Sequence, residues 1–385
     1  MPGKIIVAPD AFKECLDVFA VTEAIVRGLV CGGAQEQQIV SCPLADGGEG
    51  LLDVLVHTSG GSMREVMVTG PLGKATAASF ALLEEGKTAV VEMAQAAGIH
   101  LIDPSERNPR ITTTFGVGEL MRHALDAGVR RIIVGLGGSV TNDGGAGMAQ
   151  ALGVSFKDEE GCELPFGGEA LLSLASLDCS GMDPRLKDVE IIGACDVSNP
   201  LCGNNGATAV YGPQKGATEE DVVLLDRALN HYGKCLEVLF PSFRRDTPGV
   251  GAAGGLGAGL AAFTGASLRS GVELVLDSHE DLEEQWAEAE VIITGEGRVD
   301  GQSMQGKVIS GVAEMARRYE KPLFVLCGKM SGDMAPLYAG GVTAVFPIAP
   351  APMSEEEAMR NASAYLSRTA ENLMRTLLRL KGGEG

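Results

Sequence analysis

Short apolar runs recur along this 385-residue chain, and each stops at a glycine-rich or polar loop. Lys4 to Ala8 ends at Pro9 and delivers Asp10, while Gln38 to Cys42 leads into Pro43-Leu44-Ala45-Asp46-Gly47-Gly48-Glu49-Gly50. Arg131 to Gly135, Glu190 to Cys195, Glu290 to Thr294, Leu323 to Cys327 and Ala344 to Ile348 repeat the pattern. Uninterrupted apolar runs of this length suit parallel strands covered on both faces, and ligand sites gather at the C-terminal ends of such strands. Between the first two runs, Phe19 to Val30 places Ala20, Ala24, Ile25, Gly28 and Leu29 on one helical face, so a βαβ unit opens the chain.

From about Glu65 to Val91 the pattern changes to alternating stretches broken by Gly-Pro and Glu-Glu-Gly, which predicts antiparallel strands in a different domain. Near the C-terminus Ser354 and Glu357 form a capping box, and apolar residues recur through Leu378 as in a helix. Strand–helix alternation at both ends predicts an α/β protein: residues 1–63 with 287–385 form a doubly wound parallel-sheet domain, residues 64–286 form an inserted α/β domain, and the site lies in the cleft between them.

The formal charge of −20, with Lys and Arg scattered, leaves no basic face for nucleic acid. Anionic ligands then need local cations, and Lys13, Lys215, Arg298 and Lys307 stand in polar or glycine-rich runs suited to that task. The nine cysteines sit among apolar residues without a CxxC pair, so reduced, buried thiols in the cytoplasm are expected. No signal-peptide or membrane-spanning pattern occurs, so no membrane partner is expected. The histidines lack a nearby Ser or Cys arrangement, which removes support for a His-based hydrolase.

Three glycine patterns compete for a phosphate-binding role. Gly301-Gln302-Ser303-Met304-Gln305-Gly306-Lys307 fills the first seven places of a Walker A loop, but Val308 stands where Mg²⁺ requires Ser or Thr, and the loop begins several residues beyond its strand. Gly249-Val250-Gly251-Ala252-Ala253-Gly254 matches the dinucleotide string, yet no convincing strand precedes it. The run Gly135 to Gly147 lies between a strand and a predicted helix, and its glycine amides, with Ser139, Thr141 and Asn142, suit an anion nest at a helix N-terminus. A bare strand-to-helix turn would need only one or two of those glycines. Asp10, Asp46, Glu49, Asp143, Asp196, Glu296 and Asp300 are expected in loops or glycine-rich turns; Mg²⁺ takes only one or two protein carboxylates, so most of them must do other work, commonly helix capping.

Ala8-Pro9-Asp10-Ala11-Phe12-Lys13-Glu14, Pro43 to Gly50, Gly135 to Gly147, and Asp196-Val197-Ser198-Asn199-Pro200-Leu201 together resemble the type I glycerate kinases. Gly212 to Ala217, Gly249 to Gly259, Ser270 to Leu276, and Thr294 to Arg298 through Gly306-Lys307 extend the resemblance over nearly the whole chain in consistent order. It implies a flavodoxin-like domain with an inserted α/β domain, and ATP- and Mg²⁺-dependent phosphorylation of (R)-glycerate to 2-phosphoglycerate; 3-phosphorylation and other small hydroxy acids are the alternatives. On this reading Asp196 is the base facing the 2-hydroxyl, with Asp10 and Lys13 also catalytic. Asn199, Arg298 and Asp46 bind substrate; Gly137, Gly138, Ser139, Thr141, Asn142, Lys215 and Lys307 bind nucleotide; and Asp46 or Asp300 positions Mg²⁺. Ala11, Phe115 and Val117 depart from the family's usual serine, tyrosine and threonine, which bears on substrate detail more than on reaction type. The rivals are a nicotinamide-dependent hydroxy-acid dehydrogenase using the Gly249 string and a non-catalytic binding protein for small acids. The sequence leaves a homodimer open.

Overall fold

The computed structural model describes residues 3–48, 50–279, 281–301 and 308–381. In chain order its strands are β1 (Lys4–Val7), β2 (Ile39–Ser41), β3 (Gly61–Thr69), β4 (Ala75–Leu83), β5 (Thr88–Glu92), β6 (Arg131–Gly135) and β7 (Ser155–Lys157). There follow β8 (Ser176–Asp178), β9 (Glu190–Ala194), β10 (Ser267–Arg269), β11 (Ala289–Val299), β12 (Leu323–Met330) and β13 (Ala344–Pro347). They fall into two compact units, Met1–Asp46 with Val275–Gly385 and Gly47–Leu274.

The first unit carries an all-parallel sheet in the order β13-β12-β11-β1-β2. Renumbered within the unit this is 2-1-3-4-5 read from the β2 edge, the flavodoxin-like winding, whose strand order reverses between β1 and β11. Ile5, Ile6 and Val7 are fully buried, as a strand covered on both faces requires. One covering helix is Val18–Cys31, capped by the Asp17 side chain, which accepts the Ala20 amide at 2.8 Å. Its buried face is Val18, Val21, Thr22, Ala24, Ile25, Gly28 and Leu29, with Ala20 only half-buried. The predicted C-terminal helix is two helices, Glu355–Arg360 and Ala362–Lys381, parted at Asn361. Ser354 accepts the Glu357 amide at 3.2 Å as an N-cap for the first of them.

The second unit holds a six-stranded mixed sheet, β10-β9-β6-β5-β4-β3. As the alternation predicts, β3 and β4 pair antiparallel from Gly61↔Leu83 to Thr69↔Ala75, and β4 pairs antiparallel with β5; the remaining neighbours are parallel. Its core gathers Val91, Leu120, Val134, Met148, Leu229 and Leu256.

The division between units falls at 46/47 and 274/275. The expected bounds, 63/64 and 286/287, differ at the first because the helix Leu51–Ser59 packs on β3, β4 and β5, and at the second because the helix Leu282–Glu288 packs beside β1. A second difference concerns β11, which runs through Val299 because β12 continues beside it to Met330. Glu296 and Arg298 are therefore strand residues, not loop residues. The thiols also diverge from expectation: all nine are free, but Cys31 and Cys162 are exposed, and only Cys42 and Cys327 are buried. No helix among the described residues is long and apolar enough to cross a membrane.

Candidate active site

In the first unit, Asp10 stands just beyond β1, and its amide donates to Gly295 O of the neighbouring β11 at 2.8 Å. Its carboxylate accepts the Ala11 amide at 2.7 Å and is 5% exposed. Burial, reinforced by the nearby Asp46 carboxylate and by Glu296, pushes Asp10 up to about 8 against the pull of Lys13. Lys13 Nζ donates to Asp46 Oδ2 at 2.9 Å. Partial burial works against its charge, but the Asp46 and Asp10 carboxylates prevail and hold Lys13 above the usual lysine range. Arg298 is exposed, its Nε 3.8 Å from Asp300 Oδ2. Parallel pairing of β1 with β11 thus brings Asp10, Lys13, Asp46 and Glu296 to one end of the sheet.

In the second unit, the segment after β6 is held from several sides. Gly137 donates its amide to Gly47 O at 2.9 Å, and a Cβ on Gly137 would lie 2.1 Å from Gly48 Cα, so only glycine permits this approach. Gly138 is the exposed crest, with φ of +69°. Below it Ser139 is 9% exposed, and Thr141 and Asn142 are fully buried. Asn142 Nδ2 donates to Thr208 Oγ1 at 2.9 Å. Lys215, itself 1% exposed, donates from Nζ to Ser139 Oγ at 2.8 Å and to Thr141 O at 2.7 Å.

The helix N-terminus that follows is already occupied. Asp143 accepts the Gly145 amide at 3.1 Å, the Gly147 amide at 3.3 Å and the Thr114 amide at 2.8 Å, and its Oδ2 accepts the Thr114 hydroxyl at 2.9 Å. The expected anion nest at a helix start is thus filled by the chain's own carboxylate, and the accessible part of the loop is the crest at Gly137 and Gly138. The Gly249 to Gly259 run braces this loop from behind. Gly254, with φ of +67°, accepts the Gly144 amide at 3.0 Å through its carbonyl, and a Cβ there would sit 2.0 Å from Thr141 O. Its glycines serve backbone-to-backbone packing, which accounts for the string without a dinucleotide.

Asp196, two residues beyond the end of β9, joins three segments. Its Oδ2 accepts the Gly47 amide at 2.5 Å, its Oδ1 accepts the Ser270 hydroxyl at 2.6 Å, and the Gly271 amide reaches both oxygens at 3.1 and 3.2 Å. Asn199 is similarly engaged, donating to Asn205 O at 2.8 Å and accepting the Tyr211 hydroxyl at 2.8 Å. Lys307, with the Gln302 to Gly306 part of the Walker-like string, lies outside the described residues.

A model of the glycerate kinase family matches residues 5–378. The chain belongs to the glycerate kinase family. It is 47% identical to glycerate kinase of Bacillus subtilis strain 168 over 96% of both chains. It is 45% identical to glycerate 2-kinase of Escherichia coli K12, covering 97% of this chain and 98% of that one. A solved structure of a protein provisionally described as glycerate kinase 2 from Salmonella typhimurium LT2 superposes with a TM-score of 0.83 at 45% identity, covering 100% of each chain.

Within this glycerate kinase fold the residues that reasoning from sequence passed over are those working inward. Thr114 completes the Asp143 staple. Glu92, at the end of β5, is 5% exposed and accepts the Leu52 amide at 2.9 Å; burial pushes it up to about 7. An acid closing an apolar strand was the one available signal for Glu92. Nothing in the sequence marks Thr114 as a partner of Asp143.

Proposed function

We propose that this chain transfers the γ-phosphoryl group of ATP to (R)-glycerate at the 2-hydroxyl, in the cytoplasm. Family membership supports the reaction class, and the printed name of the Escherichia coli relative supports the position. Among the structural features, the Lys215–Ser139 pair beneath the glycine crest carries the reading furthest: a lysine amine buried against neutral oxygens has its charge disfavoured by burial, and an anion visiting that loop is what would favour it.

In this reading the polyphosphate lies along Gly137 and Gly138, with Ser139 donating and Thr141 and Asn142 shaping the loop from within. Lys13 and Arg298 hold the glycerate carboxylate. The carboxylates at the end of β1 and β11 are oxygen donors of the kind a divalent cation takes, although no group of three or more metal-ligating side chains gathers among the described residues; burial first, and the Asp46 and Glu296 carboxylates after it, hold Asp10 above the usual carboxylate range, a strain a cation would relieve. Asp46 or Asp300 would hold Mg²⁺, which when bound would neutralise charge on the transferring phosphate oxygens. Phosphoryl transfer asks the protein mainly for position and for a proton acceptor at the attacking hydroxyl. Asp10, which a cation beside Asp46 would draw into its charged form and whose carboxylate accepts the Ala11 amide, suits that acceptor better than Asp196, whose oxygens already bind the Gly47 amide, the Ser270 hydroxyl and the Gly271 amide. Asp196 and Asn199 then hold together the segments of the second unit that follow β9 and Asp46.

The test incubates the protein with Mg²⁺, ATP and (R)-glycerate, follows ADP, and identifies the product by phosphorus NMR. Glycerate-dependent 2-phosphoglycerate is expected. A 3-phosphoglycerate product would overturn the position, and ADP release indifferent to glycerate would overturn the substrate.

A further inference from the structure

We infer that Lys215 takes up a proton when the nucleotide polyphosphate docks on the Gly137–Ser139 crest, so that nucleotide binding by this protein is linked to protonation of a residue the ligand never touches. The inference rests on the proposed nucleotide site and adds its proton linkage.

The geometry has three parts. First, Lys215 is 1% exposed, at the end of a short helical turn, Pro213–Lys215, that closes on Gly216 with φ of +93°. Its position leaves no path for the ammonium to reach a surface ligand directly. Second, the oxygens its Nζ is bonded to, Ser139 Oγ at 2.8 Å and Thr141 O at 2.7 Å, are both neutral. Neutral oxygens can accept from an ammonium or from a neutral amine, so the contacts survive either protonation state. Third, Ser139 Oγ accepts from Lys215 and so leaves its own hydrogen to donate outward, making the serine a one-atom relay between the amine and an anion at the crest.

The charged groups on the elements packed around Lys215 do not fix its state. Asp143, on the same loop, is occupied by the Thr114, Gly145 and Gly147 donors. Arg107, whose carbonyl would lie 2.4 Å from a Cβ on Gly216, directs its guanidinium to Gln214 O at 3.5 Å and Ile99 O at 3.4 Å. Tyr211, on the helix Ala207–Tyr211 that precedes the turn, donates to Asn199 and is itself pushed above the usual tyrosine range by burial. Burial accordingly dominates and brings Lys215 down to about 7, with Asp143 opposing. At pH 8 most molecules without nucleotide hold a neutral amine. A polyphosphate of several negative charges arriving one hydroxyl away reverses the balance in favour of the ammonium.

Calorimetric titration of the full chain with Mg²⁺-ADP at pH 8, in buffers of low and high ionisation enthalpy, reads proton uptake directly. ADP is fully ionised there and contributes little. Uptake approaching one proton per nucleotide is expected at pH 8, falling towards none at pH 6, and by linkage the Kd rises by up to about tenfold for each pH unit above 8. In Lys215→Met the uptake vanishes and the weakened Kd no longer depends on pH in this range. Lys215→Arg, permanently charged, also shows no uptake while keeping the cation. Nucleotide binding without uptake in the unaltered protein overturns the inference and leaves the proposed kinase activity standing. Uptake that persists in Lys215→Met assigns the proton elsewhere and also overturns it. Absence of any nucleotide binding overturns the kinase reading itself.

Discussion

Asp196 Oδ2 accepts the Gly47 amide at 2.5 Å, tying the segment after β9 to the segment after Asp46. With Ser270 and Gly271 on the same carboxylate, the residue acts as a clamp whose acceptors are all charge-assisted. Asp196→Asn keeps one acceptor but turns an amide donor toward other donors. It should lower stability by about 2–3 kcal/mol, with loss of activity following the loss of structure. Asp10→Asn should leave the denaturation midpoint near or above that of the parent while lowering kcat by about a hundredfold or more, as removal of a proton acceptor does. Paired midpoint and kcat measurements decide between the two roles; an Asp196→Asn protein of full stability and no turnover would restore Asp196 as the base.

Glu92 predicts a pH dependence of stability. Its carboxyl, ordinarily near 4.5, sits at about 7 in the folded chain because burial disfavours the charge. A group raised on folding binds more protons in the native state, so its contribution is fully present below about 4.5 and is lost as pH rises to 7. The rise corresponds to about 3 kcal/mol. Glu92→Gln, which still accepts the Leu52 amide, should be relatively more stable than the parent at pH 8 than at pH 5, by up to that amount. Denaturation midpoints at the two pH values check the sign.

Asp143 is the internal staple of the glycine loop. Asp143→Asn should cost about 2–3 kcal/mol, because donors to a buried carboxylate lose their acceptor. Nucleotide affinity should fall with it, since Gly137 to Asn142 lose their seat. Wild-type affinity in a destabilised Asp143→Asn protein would detach the loop from nucleotide binding.

Gly254→Ala tests the bracing run. The new Cβ would stand 2.0 Å from Thr141 O on a backbone with φ of +67°, so the loop must move or the chain fails to fold. Soluble protein with an unchanged midpoint by thermal denaturation would show that the two segments do not press on each other.

Lys13→Met addresses the first unit. Lys13 is exposed, so the stability change should stay within about 1 kcal/mol, whereas kcat/KM for glycerate should fall by about a hundredfold or more if the ammonium holds the substrate carboxylate. Steady-state kinetics at varied glycerate separates the two effects.

Local chemistry determined much of this protein from the sequence. Apolar runs stopped by polar loops imposed parallel strands, alternation between Glu65 and Val91 imposed antiparallel ones, and the order of motifs matched a kinase family. Period and punctuation act over a few residues, so they are readable one segment at a time. The tertiary structure decided which polar residues face a ligand and which face the chain. Asp143 and Asp196 read alike as acids in or beside glycine-rich loops, yet one staples Thr114 to a helix start and the other joins Gly47 to Ser270. Their partners lie at separations no local pattern encodes. The same holds for Lys215, which reads as a cation for an anionic ligand and is buried under Ser139, because whether a charge meets a ligand or is enclosed depends on what the rest of the chain packs over it.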